Sequence, residues 1–256
     1  MRTIAAAVCV FLLIVSAPAH AQVCELVVLD SVESAGFLSQ PTILDSTAYV
    51  PGGTAGIVRV DIGDPENLSV VGEHPTRGAA SAIALDFYAR RLVVADGDAG
   101  VTTYTLDDTG APVLELTSLP FGESIVAIAG SSVRWAAGGA TGTFFTISFG
   151  SELNVQGSVD TGGQVLGITT VNSDSYCALG SAGVGLIDTS DRSNPEVVTT
   201  LDLGGDVISI ERAGELLFCG VAGVGVVSVA IDGDQLVPVG TLSLDIDPHD
   251  IVHWGG

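Results

Sequence analysis

From residue 22 onward the chain is built of short apolar runs separated by polar turns. Between residues 165 and 203 the runs are VLGITTV, YCAL, VGLIDT and EVVTTLDL, divided by NSDS, GSAG and SDRSNP. The same four-beat pattern recurs as AIALDF, RLVVAD, GVTTYTL and VLELTSL, divided by YAR, GDA and DDTGAP. Runs of this length, rich in Val, Ile, Leu and Thr and bounded by Gly, Asn, Asp and Pro, predict β-strands. No apolar pattern of helical period persists for three turns after residue 22. The runs are nearly continuous in apolar character, as expected of sheets covered on both faces. A sheet of four such strands sandwiched between two neighbours is a propeller blade.

The pattern repeats along the chain. TAGIVRVDIGDPENL (54–68) and SAGVGLIDTSDRSNP (181–195) place Ala, Gly, an aliphatic residue, Asp, Asp and Asn at the same offsets. Glycines recur at Gly56, Gly100, Gly142, Gly183 and Gly223, at spacings of 44, 42, 41 and 40. A period of about 42 belongs with four-stranded propeller blades. The expected fold is therefore all-β, a β-propeller of four-stranded antiparallel blades. Its five repeats span roughly 33–77, 78–121, 122–161, 162–204 and 205–245. The ends are ragged: 24–32 reads as the last strand of a blade and 246–256 as the first strand of another. A truncated six-bladed ring and a five-bladed ring with irregular ends both fit.

Strings such as AYVPGG…GIVRVDIGDPENLSVVGEH and YCALGSAGVGLIDTSDRSNPEVVTTLD resemble the LVIVD-repeat family. The resemblance runs from residue 25 to 254 and is degenerate in the third repeat, where TFFTISFGSE lacks the Asp-Pro turn. It implies a β-propeller exported to the outside or surface of a bacterial or archaeal cell, and it brings no catalytic residues with it.

The N-terminus sharpens that expectation. Arg2, the apolar run Ile4–Val15 and Ala19-His20-Ala21 form a signal peptide over 1–21, with cleavage before Gln22. Residues 22–256 then form a single domain, secreted, periplasmic or held at the cell surface. The rival reading lipidates Cys24, which Val23 disfavours because it is not small. Neither the run nor any later one is long enough to span a bilayer, so no membrane insertion is expected.

Charge narrows the partners. Asp and Glu number 30 against 8 basic residues, all Arg, for a formal net charge of −22. Such a surface repels nucleic acid, whose binding rests on phosphate neutralisation. The lack of Lys excludes Schiff-base chemistry and a P-loop. Hydrophobic residues at 47% supply a packed core despite the acidity. Of the cysteines left after cleavage, Cys177 and Cys219 fall at matching places in two repeats and are expected as free, buried thiols.

Candidate chemistry is concentrated at the C-terminus. LDIDPHDIVHWGG brings Asp245, Asp247, His249, Asp250 and His253 within nine residues. Asp206, at the start of the fifth repeat, joins His249, Asp250 and His253 as a candidate ligand-binding residue at the channel mouth. Asp247, His249 and Asp250 are weak candidate metal ligands, and no cofactor is expected. Asp96-Gly97-Asp98 carries calcium-type ligands but lacks the rest of a loop, so a hairpin turn is expected. No Gly-x-Ser-x-Gly occurs. His74 is expected in a turn between blades, and Trp135 and Trp254 in the core or at the rim.

Three functions fit. The first is a monomeric, non-catalytic scaffold that binds a protein or glycan at the cell envelope. The second is a lactonase-like propeller hydrolase with a site near His249 and Asp250. The candidate innermost strands AIALD, SIVAIAG, VLGIT and DVISIE, mostly aliphatic, offer little for acid–base work. The third is a module of a larger assembly whose missing strands come from a longer chain or from a partner.

Overall fold

The computed structural model describes residues 39–131, 134–149 and 152–251, with 114–118 described by backbone only. The expectations for the signal peptide, Cys24, the strand over 24–32, His253 and Trp254 lie outside these residues. The described chain forms twenty strands in five antiparallel four-stranded sheets, each a simple meander in chain order. The first sheet holds β1 (Thr42–Leu44), β2 (Thr47–Pro51), β3 (Ile57–Asp61) and β4 (Ser69–His74). The second holds β5 (Ala82–Asp86), β6 (Arg91–Ala95), β7 (Val101–Leu106) and β8 (Pro112–Leu119). The third holds β9 (Ile125–Ser131), β10 (Arg134–Gly139), β11 (Thr143–Phe149) and β12 (Leu153–Asp160). The fourth holds β13 (Gly167–Val171), β14 (Asp174–Ala178), β15 (Val184–Asp188) and β16 (Glu196–Leu201). The fifth holds β17 (Val207–Ala213), β18 (Leu216–Val221), β19 (Gly225–Asp232) and β20 (Gln235–Ser243).

The sheets stack in series. First strands lie beside first strands: β5 packs between β1 and β9, and β13 between β9 and β17. They are the inner strands of a propeller-like arrangement. The fourth strands are the outer ones, and β4 and β16 alternate exposed and half-buried residues. Middle strands of the first four sheets are closed on both faces: Leu92, Val93, Val94 and Ala95 of β6 are each 0% exposed. That is the physical reason their sequences run apolar without alternation.

Four apolar seams join the sheets. Tyr49 and Ile57 meet Leu92 and Tyr104 between the first and second. Trp135 and Ile147 meet Val93 and Val101 between the second and third. Phe144 meets Cys177, Leu179 and Ile187 between the third and fourth. Tyr176 and Leu186 meet Leu217, Cys219 and Val229 between the fourth and fifth. Cys177 and Cys219 are free and buried, each turned toward the preceding sheet. Burial pushes both thiols up, that of Cys219 to about 12, so neither is a nucleophile.

Backbone devices recur from sheet to sheet. Where third strand meets fourth, the register slips by one residue at a matching place in all five sheets, and in the second sheet it slips once more at Val113. The extra residue is Val71, Leu116, Gln156, Val198 or Val239. Such a bulge sharpens the right-handed twist and turns the inserted residue outward. It explains why Val71, Val198 and Val239 are 47%, 40% and 56% exposed. Between second and third strands, Gly56, Gly100, Gly183 and Gly225 have φ of 79°, 81°, 91° and 119°. A Cβ at any of them would lie 2.0–2.3 Å from a carbonyl oxygen at the end of the fourth strand. The fifth place in that series belongs to Gly225 and not to Gly223, whose Cβ would meet nothing. His74 is also corrected: it ends β4 and packs edge-on against Tyr104, ring centroids 5.1 Å apart.

Candidate functional site

The rim that carries the turns between second and third strands holds most of the candidate residues. Its connections use polar side chains as latches. Asp96 is 0% exposed. Its Oδ1 accepts from Thr76 Oγ1 (2.6 Å). Its Oδ2 accepts from Arg77 N (3.0 Å), Gly78 N (3.1 Å) and Thr102 Oγ1 (3.4 Å). The carboxylate therefore ties the connection from the first sheet onto the turn of the second. Burial raises its pKa, and these four hydrogen bonds oppose the rise. The expected hairpin is present, with Ala99 N donating to Asp96 O at 3.1 Å. Its first Asp is in addition a buried strut between two sheets, which the hairpin reading did not include.

Glu123 does similar work in the third sheet, accepting from Thr141 N (2.9 Å) and Thr141 Oγ1 (2.6 Å). Burial disfavours its charge, but hydrogen bonds from Thr141 and Thr143 hold its carboxyl below the usual range. A Cβ on Gly139 would collide with this carboxylate, which is why that strand ends in glycine. After the fourth strands, Asp160 Oδ1 accepts from Gly162 N (2.9 Å) and Asp202 Oδ1 from Gly204 N (2.8 Å). The strings DTGG and DLGG carry the sequence signal for these Asx turns.

The C-terminal cluster is assembled on the same rim, around the turn at Ala222 and Gly223. Ala222 N donates to Asp206 O (2.9 Å) on one side. Gly223 N donates to Asp247 Oδ1 (2.7 Å) on the other. Ser209 Oγ, buried on β17, donates to Pro248 O at 2.6 Å, and His249 N closes a tight turn onto Asp247 O at 3.0 Å. The structure thus brings Asp206 and Asp247 to one turn and places His249 and Asp250 just beyond the buried Pro248. Asp206, Asp247, His249 and Asp250 are all exposed. Surrounding chain nonetheless desolvates the Asp250 carboxyl and raises it, against a hydrogen bond from Ile251 N. Among the described residues no three His, Cys, Asp or Glu side chains converge as metal ligands. The arrangement anchors residues 247–249 to the fifth sheet. It presents carboxylates and an imidazole to solvent, groups able to bond a cationic or hydroxyl-rich partner.

The inner strands AIALD, IVAIAGS, GITTV and VISIERA present mainly aliphatic and small residues, with Glu211 and Arg212 toward one end of β17. At the opposite rim, a cleft of about 160 Å³ between the first and second sheets is lined by Asp45, Thr47, Tyr49, Arg90, Asp108 and Thr109. Tyr49 OH donates to Gly110 O at 2.7 Å and closes its floor. The Asp45–Arg90 pair at 3.8 Å is exposed and weak. Asp107 is a turn residue, as expected, accepting from Thr109 N, Thr109 Oγ1 and Ala111 N at 2.7–2.9 Å.

Comparison with known proteins gives the architecture and stops there. No family model and no curated protein matches the chain. Among solved structures, a functionally unknown protein from Desulfotomaculum acetoxidans superposes with a TM-score of 0.70 at 14% identity, over 87% of this chain and 76% of that one. Sqt1 of Saccharomyces cerevisiae superposes with a TM-score of 0.68 at 14% identity, over 86% and 64%. At that identity the likeness is one of fold. Matches extend to 1135 solved chains, too many for the fold to select a function.

Proposed function

We propose that the chain is an exported, non-catalytic β-propeller of LVIVD-repeat type, a monomeric binding or scaffold module for a protein or glycan at the cell envelope. Cleavage after Ala21 releases a domain of five repeats of about 42 residues, a six-bladed ring in which one blade is incomplete. One observation carries the reading: prominent buried polar groups are engaged in holding connections and neighbouring sheets together. Asp96 holds a connection, Ser209 holds Pro248, and Thr146 Oγ1 donates to Arg192 O at 2.5 Å across a seam. Around the axis the inner strands offer little to polarise a substrate. The exposed chemistry lies on the rim loops, at Asp98, Asp206, Asp247, His249 and Asp250.

The test uses the mature chain from Gln22, fluorescently labelled, against isolated cell-wall polymer and an array of acidic and neutral glycans. Saturable binding weakened at least tenfold by a joint Asp206→Asn, Asp247→Asn, His249→Ala substitution supports the reading. Turnover of a lactone panel by the unmodified chain, abolished by His249→Ala, would replace it with the hydrolase.

A further inference from the structure

Two guanidiniums meet at the seam between the third and fourth sheets. In a chain with 30 acidic residues, carboxylate partners are plentiful. Arg90 and Arg212 take them, facing Asp45 and Glu215 at 3.8 and 3.4 Å. Arg134 and Arg192 have no carboxylate within ion-pair distance among the described residues. Arg134 opens β10 and shares a face with Ala136, which packs on the fourth sheet. Arg192 reaches back from the turn after β15, and both side chains line one cavity of about 10 Å³. Burial and the charge of Arg134 both lower the Arg192 pKa, with no described carboxylate opposing them.

Much of the remaining wall is hydroxyl. Thr146, Ser175 and Thr189 line it and are 1%, 2% and 6% exposed. Two of the three are committed: Thr146 Oγ1 donates to Arg192 O at 2.5 Å and Thr189 Oγ1 to Ser173 O at 2.7 Å. Ser175 is not. It lies on the face of β14 that carries Cys177, turned toward the third sheet. Among the described residues its hydroxyl has no hydrogen-bond partner, and it opens onto the cavity. A buried hydroxyl without a bond forfeits its solvation, and so does a guanidinium without a counter-charge.

We propose that this cavity binds one chloride ion, which accepts from Arg134, Arg192 and Ser175 and fastens the SDRSNP turn to the third sheet. Size selects the ion. A volume of this order admits about one particle of water size, which excludes phosphate, sulfate and organic acids. Charge selects it over water, because a neutral occupant would leave two neighbouring guanidiniums uncompensated. The site lies at the rim opposite Asp206 and Asp247, so its test is independent of what that rim binds.

The probe is chloride itself, replacing acetate at constant ionic strength so that screening is held fixed. The expected result on the unmodified chain is saturable broadening of the chloride NMR line, reversed by bromide. Melting temperature should climb with chloride once its concentration exceeds Kd. Arg134→Gln should weaken binding at least about tenfold, since it removes a charged donor. Ser175→Ala, which deletes a single oxygen and tests the site even if Arg134→Gln does not fold, should weaken it about threefold. Crystals soaked in bromide should show an anomalous peak between Arg134 and Arg192. Broadening that does not saturate, or that both variants retain in full, would overturn the proposal as adventitious surface association. A melting temperature indifferent to the exchange of acetate for chloride, with no bromide peak at the seam, would overturn it in favour of a water.

Discussion

The third and fourth sheets form one layer pair from very different sequences. The fourth repeat carries every turn signal, SAG before its third strand and SDRSNP after it; the third has ATG and then FGSEL. Both give the same meander, with the same bulge between third and fourth strands. What they share is the buried middle: Trp135, Ala136 and Ala137 on β10 match Tyr176, Cys177 and Ala178 on β14. The core positions thus specify the sheet, and the turn motif has a second task. The fourth sheet's SDRSNP turn reaches back onto the third. Arg192 Nη2 donates to Trp135 O (3.3 Å) and to Ile147 O, and Nε to Gln156 Oε1. Gly157 of β12 is glycine because a Cβ there would strike Arg192 O and Ser193 O. Arg134 Nη1 answers with a bond to Thr189 O at 3.3 Å.

The largest expected effect sharpens the contrast at the paired glycines. Gly183→Val places a branched side chain at φ 91° within 2.1 Å of Leu201 O and should cost about 3–5 kcal/mol. Gly142→Val, whose nearest neighbour is Gly163 O at 3.0 Å, should cost clearly less. Urea titration of both variants gives the comparison directly. Next, Trp135→Ala removes the largest fully buried side chain among the described residues and should cost about 3–5 kcal/mol, despite lying in the degenerate repeat. A cost below 1 kcal/mol would mean that the third sheet is not held by its core. Third, Arg192→Ala should cost about 2 kcal/mol. Arg192→Lys should recover less than half of that, because one ammonium nitrogen cannot stand at both the Nη2 position facing the two carbonyls and the Nε position facing Gln156.

The smallest effect is pH dependence. The Asp96 and Asp250 carboxyls are raised in the folded chain, so the folded state binds more protons than the unfolded one between the two pKa values. Stability should therefore increase as pH falls from 7 into that window, together with the easing of repulsion among the 30 acidic residues. Below it the order reverses. Asp64, Asp107 and Glu123 are lowered by their hydrogen bonds, and the stability they contribute is lost as they protonate. Melting temperature in low salt should pass through a maximum on acidification and rise on adding sodium chloride. Asp96→Asn should flatten the rising limb.

The all-β class and the serial four-stranded pattern were legible because burial on both faces writes continuous apolar runs such as RLVVAD and YCAL. The strand β20 was legible in type but not in exposure, since nothing in QLVPVGTLS says which face a neighbour covers. The bulges left no mark, because the extra residue can be Val, Leu or Gln. Of the site, the chain position of Asp247, His249 and Asp250 was visible, but their hold on the Ala222–Gly223 turn was not. That contact joins residues 24 apart and depends on where the next strand begins. Asp96 and Arg192 look like turn residues in the sequence, and only the packing of adjacent sheets turns them into struts.

The most direct test of the claim that seams rather than turn motifs hold the sheets is native-state hydrogen exchange compared between β10 and β14. Their slowest amides should agree within about tenfold, a difference of roughly 1.4 kcal/mol. Exchange from β10 a thousandfold faster than from β14, with β14 unaffected by Arg192→Ala, would contradict it.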